Sequence, residues 1–174
     1  IAQVRALRAF AYFYMVRIWG DVPLVTYSYD NGTFPSMPRT DAQTVLSYAK
    51  AELLTAIKDL PYQYGTQTNL YYGSYGAQWQ GKLFNKLSAY SVLAHICAWQ
   101  GNYAEAETYS AFIIDHASEI NAKYTSIADL TSETGLFYSN ASVKGSRILG
   151  FNFAHNDNEA TQSGHLEQLT LAYP

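Results

Sequence analysis

The sequence predicts a mainly α fold of antiparallel helix pairs, with long aromatic-rich loops and a short C-terminal strand. Three observations carry that prediction. Apolar residues recur at steps of three and four over four separate stretches. Gly20, Pro61 and Gly101 stand where three of those stretches end. The third and fourth stretches are joined by only a few residues, which obliges them to run antiparallel.

The first helix is predicted over Ala2 to Trp19, with Val4, Leu7, Ala11, Tyr14 and Ile18 in line. Gly20 suits its C′ position, and Pro23 prevents resumption. A loop from Asp21 to Pro38 follows. Thr40-Asp41-Ala42-Gln43 fits a capping box with Thr40 as the cap, and Asp41 suits the positive end of the helix dipole. The second helix then runs to Leu60, with Val45, Ala49, Leu53, Ala56 and Leu60 as its buried stripe. No period holds from Pro61 to Gln80. Lys82 to Gln100 is the third helix, aligned on Leu83, Leu87, Tyr90, Ala94 and Cys97. Asn102 caps the fourth, with Glu105 at N3 and Ala106, Ser110, Ile113 and Ala117 on one side. Beyond His116 the order weakens. Ile127 to Leu130 fits one helical turn, Arg147 to Phe153 a strand, and Leu166 to Leu169 a short helix. The helical core therefore spans about residues 2–118, and 119–174 is irregular.

Composition narrows the function. The chain has 174 residues, enough for one domain with a real core. Hydrophobic residues make up 48% and charged residues 14%, too apolar for disorder. A net charge of −3 argues against a protein held to nucleic acid by phosphate contacts. The single cysteine, Cys97, excludes a disulfide framework and reads as a small core residue. No stretch approaches the length of a membrane span, and no signal peptide is visible. The start at Ile1 and the stop at Pro174 read as an excised segment of a larger protein.

The third and fourth helices resemble a tetratricopeptide repeat. Tyr90, Leu93, Ala94 and Cys97 have the first-helix spacing, and Gly101, Tyr103 and Ala106 that of the turn and second helix. Small residues such as Ala94 and Ala106 let the rods approach closely. One pair cannot bury its face alone, so the first two helices are the expected neighbours.

A more particular string sits on the first helix. Arg5-Ala6-Leu7-Arg8-Ala9-Phe10-Ala11-Tyr12-Phe13, Val16-Arg17 and Trp19-Gly20-Asp21-Val22-Pro23-Leu24 resemble the SusD/RagB family. Pro38-Arg39-Thr40, Leu60-Pro61, Lys82 to Ala94, Gly101 to Ala106 and Arg147 to Phe153 match further family features in order. The resemblance implies a tetratricopeptide-like scaffold and a surface glycan-binding lipoprotein of the outer membrane. It implies nutrient uptake without catalysis or a cofactor. The partner it implies is a SusC-like TonB-dependent transporter. It also places the lipid anchor, and part of the family's chain, outside this sequence.

The residues themselves point to one candidate site. Asn69, Tyr71, Tyr72, Tyr75, Gln78 and Trp79 crowd the aperiodic stretch between the second and third helices. Tyr and Trp offer flat apolar faces to the C–H faces of a sugar, at little cost in rotamer entropy. Asn and Gln both donate and accept, which suits hydroxyls. Two other readings stand beside this one: the rings pin the loop to the helices, or they pack on the transporter. Tyr27, Tyr29, Asn31 and Phe34 form a smaller cluster, suited to packing or partner contact. Arg5, Arg8 and Arg17 are expected to pair with acids on adjacent helices.

Other motifs carry less. His155, Asp157 and Glu159 alternate in a polar stretch that reads as solvated loop rather than a metal site. Asn31-Gly32-Thr33 and Asn140-Ala141-Ser142 match a glycosylation sequon. Asp129 and Glu133 are one turn apart, with nothing else to support a catalytic pair. Two rivals follow: a tetratricopeptide-like protein-interaction scaffold without glycan binding, and a helical glycoside hydrolase.

Overall fold

The computed structural model describes residues 1–29, 32, 35–64, 83–120, 122, 127 and 148. Within them lie four helices: α1 (Ala2–Trp19), α2 (Ala42–Ala56), α3 (Lys86–Trp99) and α4 (Tyr103–Asp115). A 3₁₀ turn, Ala117–Ile120, follows α4. The mainly helical, tetratricopeptide-like prediction holds. The strand expected over Arg147 to Phe153 and the short helix over Leu166 to Leu169 lie outside the described residues, save Ile148. Of the turn expected over Ile127 to Leu130 only Ile127 is described, and it is helical.

α1 and α2 pair antiparallel, as Tyr12 on Tyr48 and Arg5 on Glu52 show by their opposite order. α3 and α4 pair likewise through the Gln100–Asn102 turn. Gly101 has φ +80° there, a conformation that strains any residue with a Cβ. The core runs along the pairs through Ala6, Ala9, Phe13 and Val16 of α1, Val45, Ala49 and Leu53 of α2, and Ala89, Leu93 and Ile96 of α3. Alanines at Ala6, Ala9, Ala49 and Ala89 are fully buried and keep the rods close.

Four expectations need correction. α2 ends at Ala56 rather than Leu60, with the turn that follows closed by the Leu60 N–H donating to the Ala56 carbonyl at 3.1 Å. The stripe Val4, Leu7, Tyr14 and Ile18 of α1 faces outward, with Val4 68% and Ile18 63% exposed. The buried face carries Ala6, Ala9, Tyr12, Phe13 and Val16, its two alanines letting α1 approach its neighbours closely. The cap of α2 is Asp41, not Thr40. Asp41 accepts from the Thr44 backbone N–H at 2.9 Å. Thr40 is instead spent on a bridge to Val22, donating to its carbonyl at 2.9 Å and accepting from its N–H at 3.2 Å. α3 begins at Lys86 rather than Lys82, because Asn85 and Ser88 form a reciprocal capping box there. The α2 stripe, by contrast, is buried throughout, and Asn102 caps α4 as expected.

Candidate functional site

Asn69, Tyr71, Tyr72, Tyr75, Gln78 and Trp79 all lie outside the described residues. The structure describes the two stems from which their segment springs, residues 61–64 and 83–86, and it brings them together. The Lys86 N–H donates to the Pro61 carbonyl at 2.8 Å. The stems meet where the C-terminal end of α2 and the N-terminal end of α3 face the first turn of α1. Gln3, on that turn, closes the junction. Its amide nitrogen donates to the Tyr64 hydroxyl and, at 2.6 Å, to the Phe84 carbonyl. Its amide oxygen accepts from the Phe84 N–H at 3.0 Å. The Tyr64 hydroxyl donates onward to the Phe84 carbonyl at 2.6 Å.

The other stem tyrosine is fixed by stacking. The Tyr62 ring lies parallel to the His116 imidazole, 5.9 Å away at 6°, and His116 stacks in turn on Phe112 at 4.0 Å. His116 Nδ1 sits 2.9 Å from the Phe112 carbonyl and so carries the proton of that hydrogen bond. The Lys86 ammonium stands 5.1 Å from the Tyr62 ring centre. Burial pushes the Tyr62 phenol above its ordinary value, and the Glu119 carboxylate adds to the rise. Gln63 donates to the Glu119 carbonyl. Tyr62 and Tyr64 are thus held against the helices.

A second aromatic group lies at the opposite end of the bundle. The Arg17 guanidinium is 5.2 Å from the Tyr14 ring centre and 5.4 Å from those of Phe13 and Trp99. Among the described residues no carboxylate pairs with Arg17, so the expected ion pair is replaced by rings. Arg5 and Arg8 do pair as expected, both on Glu52. The signal for the Arg17 cluster was present in the sequence as Phe13 and Tyr14 one turn before Arg17. Trp99 comes from another helix, and no periodicity announces it.

Tyr29 donates to the Tyr27 hydroxyl at 2.8 Å, with ring centres 4.9 Å apart. Asn31 and Phe34 of that smaller cluster lie outside the described residues. So do His155, Asp157, Glu159, Asp129, Glu133 and Asn140. Among the described residues no three His, Cys, Asp or Glu side chains are placed to hold a metal. No helix among them is long and apolar enough to cross a membrane.

No family model matches the sequence, and no curated protein does. Solved structures do. Over its whole length the chain is 94% identical to a SusD superfamily protein of Bacteroides thetaiotaomicron VPI-5482, with a TM-score of 0.81, and it spans 36% of that protein. A laminarin-binding SusD-like protein is 23% identical over 79% of this chain and 28% of its own length, with a TM-score of 0.53. Surface glycan-binding protein A of Bacteroides uniformis is 20% identical over 79% of this chain and 28% of its own, with a TM-score of 0.55. The last two share the fold with this chain.

Proposed function

The chain belongs to the SusD superfamily, and from that premise we propose that it forms part of a non-catalytic, saccharide-binding protein of the cell surface. The saccharide is met by Asn69, Tyr71, Tyr72, Tyr75, Gln78 and Trp79. Binding is reversible, through stacking on rings and hydrogen bonds to hydroxyls. The observation that carries this reading is the clamped junction of Gln3, Tyr64, Phe84, Lys86 and Pro61. A recognition segment whose two ends are fixed on helix termini loses less conformational freedom when it binds. The names of two structural neighbours, a laminarin-binding protein and a surface glycan-binding protein, support the ligand class.

In this reading the captured glycan passes to a SusC-like TonB-dependent transporter in the outer membrane. A lipid anchor outside this chain holds the protein there. A glycan array, with laminarin among its saccharides, tests ligand class directly. Saturable signal on at least one saccharide, without release of reducing ends, is the expected result. Reducing-end release would instead establish a hydrolase.

The exposed outer stripe of α1, Val4, Leu7, Tyr14 and Ile18, favours a second reading as a protein-interaction scaffold. An array without saccharide signal, from a protein that still captures a protein partner, would establish that reading.

A further inference from the structure

We propose that the outer stripe of α1 is an internal helix–helix seam, covered by a further helix of the same polypeptide outside these 174 residues. The stripe runs Val4, Leu7, Ala11, Tyr14 and Ile18, in strict alternation of three and four. All five are exposed, Leu7 by 51% and Tyr14 by 43%. The opposite face, with Ala6, Ala9, Tyr12, Phe13 and Val16, is buried. α1 is therefore apolar on both sides, and a helix of that kind belongs in the interior of a larger protein. It is not apolar enough to cross a membrane.

The shape of the stripe fits one kind of occupant. A narrow three-four repeat is the seam on which a single helix packs, its side chains entering the gaps between these. From Val4 to Ile18 the seam rises about 21 Å, the length of a helix of about fourteen residues. The Tyr14 hydroxyl is its one polar side-chain group, too few for a ligand rich in hydroxyls. Stacked helix pairs meet neighbours on both sides, and a terminal pair carries a polar outer face. α1 carries an apolar one, so the α1–α2 pair is not terminal. The SusD superfamily protein to which this chain is 94% identical has the length to supply the next unit, since the match spans 36% of it. In the 174 residues alone the stripe is open to water, and truncating it there costs little. The assignment stands whether or not the saccharide reading does, and it takes the stripe away from the scaffold reading.

The test is hydroxyl-radical footprinting of the full-length polypeptide, purified without any other protein. Labelling of each residue in the native state is compared with its labelling in urea. Leu7, Tyr14 and Ile18 should lose label to the level of Leu53 and Tyr12, which are 0% and 6% exposed. Labelling of these three above that level overturns the inference. A photo-crosslinking residue in place of Leu7, and separately of Ala11, then identifies the occupant. The two attachments should fall three or four residues apart in one segment outside these 174 residues. Attachment within residues 121–174, or at the spacing of a strand, overturns it. So does protection that fades on dilution together with a two-copy mass by light scattering, which assigns the face to a second copy.

Discussion

The Arg17 guanidinium, on the last turn of α1, lies 5.4 Å from the centre of the Trp99 ring on the last turn of α3. The two side chains join the ends of helices that also meet through Phe13 of α1 and His95 of α3, with ring centres 6.5 Å apart. Both are exposed, and the attraction of a cation for a ring face at such sites is worth about 0.5–1 kcal/mol. A double-mutant cycle with Arg17→Ala and Trp99→Ala, read by urea unfolding, should return a coupling of that size. Arg17→Lys should retain only part of it, because an ammonium cannot lie flat on the ring.

Glu52 is 8% exposed and receives both Arg5 and Arg8. Removing the carboxylate leaves two guanidinium groups side by side with no acid between them. The arginine side chains are about a third exposed, 36% and 35%, so water compensates in part. Glu52→Ala should therefore destabilise by about 2 kcal/mol, between the values for exposed and buried pairs. Thermal unfolding of Glu52→Ala and Glu52→Gln checks this, with Gln the milder change.

The faces of α1 are distinguishable by substitution. Ala9→Leu inserts bulk into a fully buried contact and should cost about 1–3 kcal/mol. Leu7→Ala, at a residue 51% exposed, should change stability by about 0.5 kcal/mol or less. The reverse order of effects would place the wrong side of the helix inward.

That face was the part of the fold hardest to read. Apolar residues recur on both sides of α1 at the same spacing: Val4, Leu7, Tyr14 and Ile18 point outward, while Ala6, Ala9, Phe13 and Val16 point inward. Large apolar residues lie on both stripes and do not decide between them, while close approach of helices requires the small residues at Ala6 and Ala9. α2 offered less ambiguity, because its outer positions apart from Leu54 are polar or small, so its whole stripe was legible. Caps shifted wherever backbone groups were claimed by distant partners: Thr40 by Val22, and Phe84 by Gln3. Such pairings are tertiary and leave no local pattern. The candidate site was legible as chemistry, in the density of rings and amides. The joint that holds its stems was not, because Gln3 reads as an ordinary helix residue.

Burial also sets a pH dependence. It pushes the Cys97 thiol above its ordinary value of 9.0, with the Lys50 charge opposing. It likewise raises the Tyr48 and Tyr109 phenols above 10.0. The folded chain keeps these protons at pH values where the unfolded chain has released them. Their stabilisation is therefore complete below about pH 9 and lost as pH climbs through the raised folded values. Urea midpoints should fall progressively from pH 9 upward. In the same way Cys97, fully buried, should resist alkylation at neutral pH and react once the chain is unfolded.

The most direct trial of the saccharide reading is a calorimetric titration of the array's strongest saccharide into the wild type, Trp79→Ala and Tyr72→Ala. Loss of a stacking ring should lower affinity about tenfold in each variant while far-UV circular dichroism stays the same. Equal affinity in all three proteins would contradict the assignment of the aromatic segment as the binding surface.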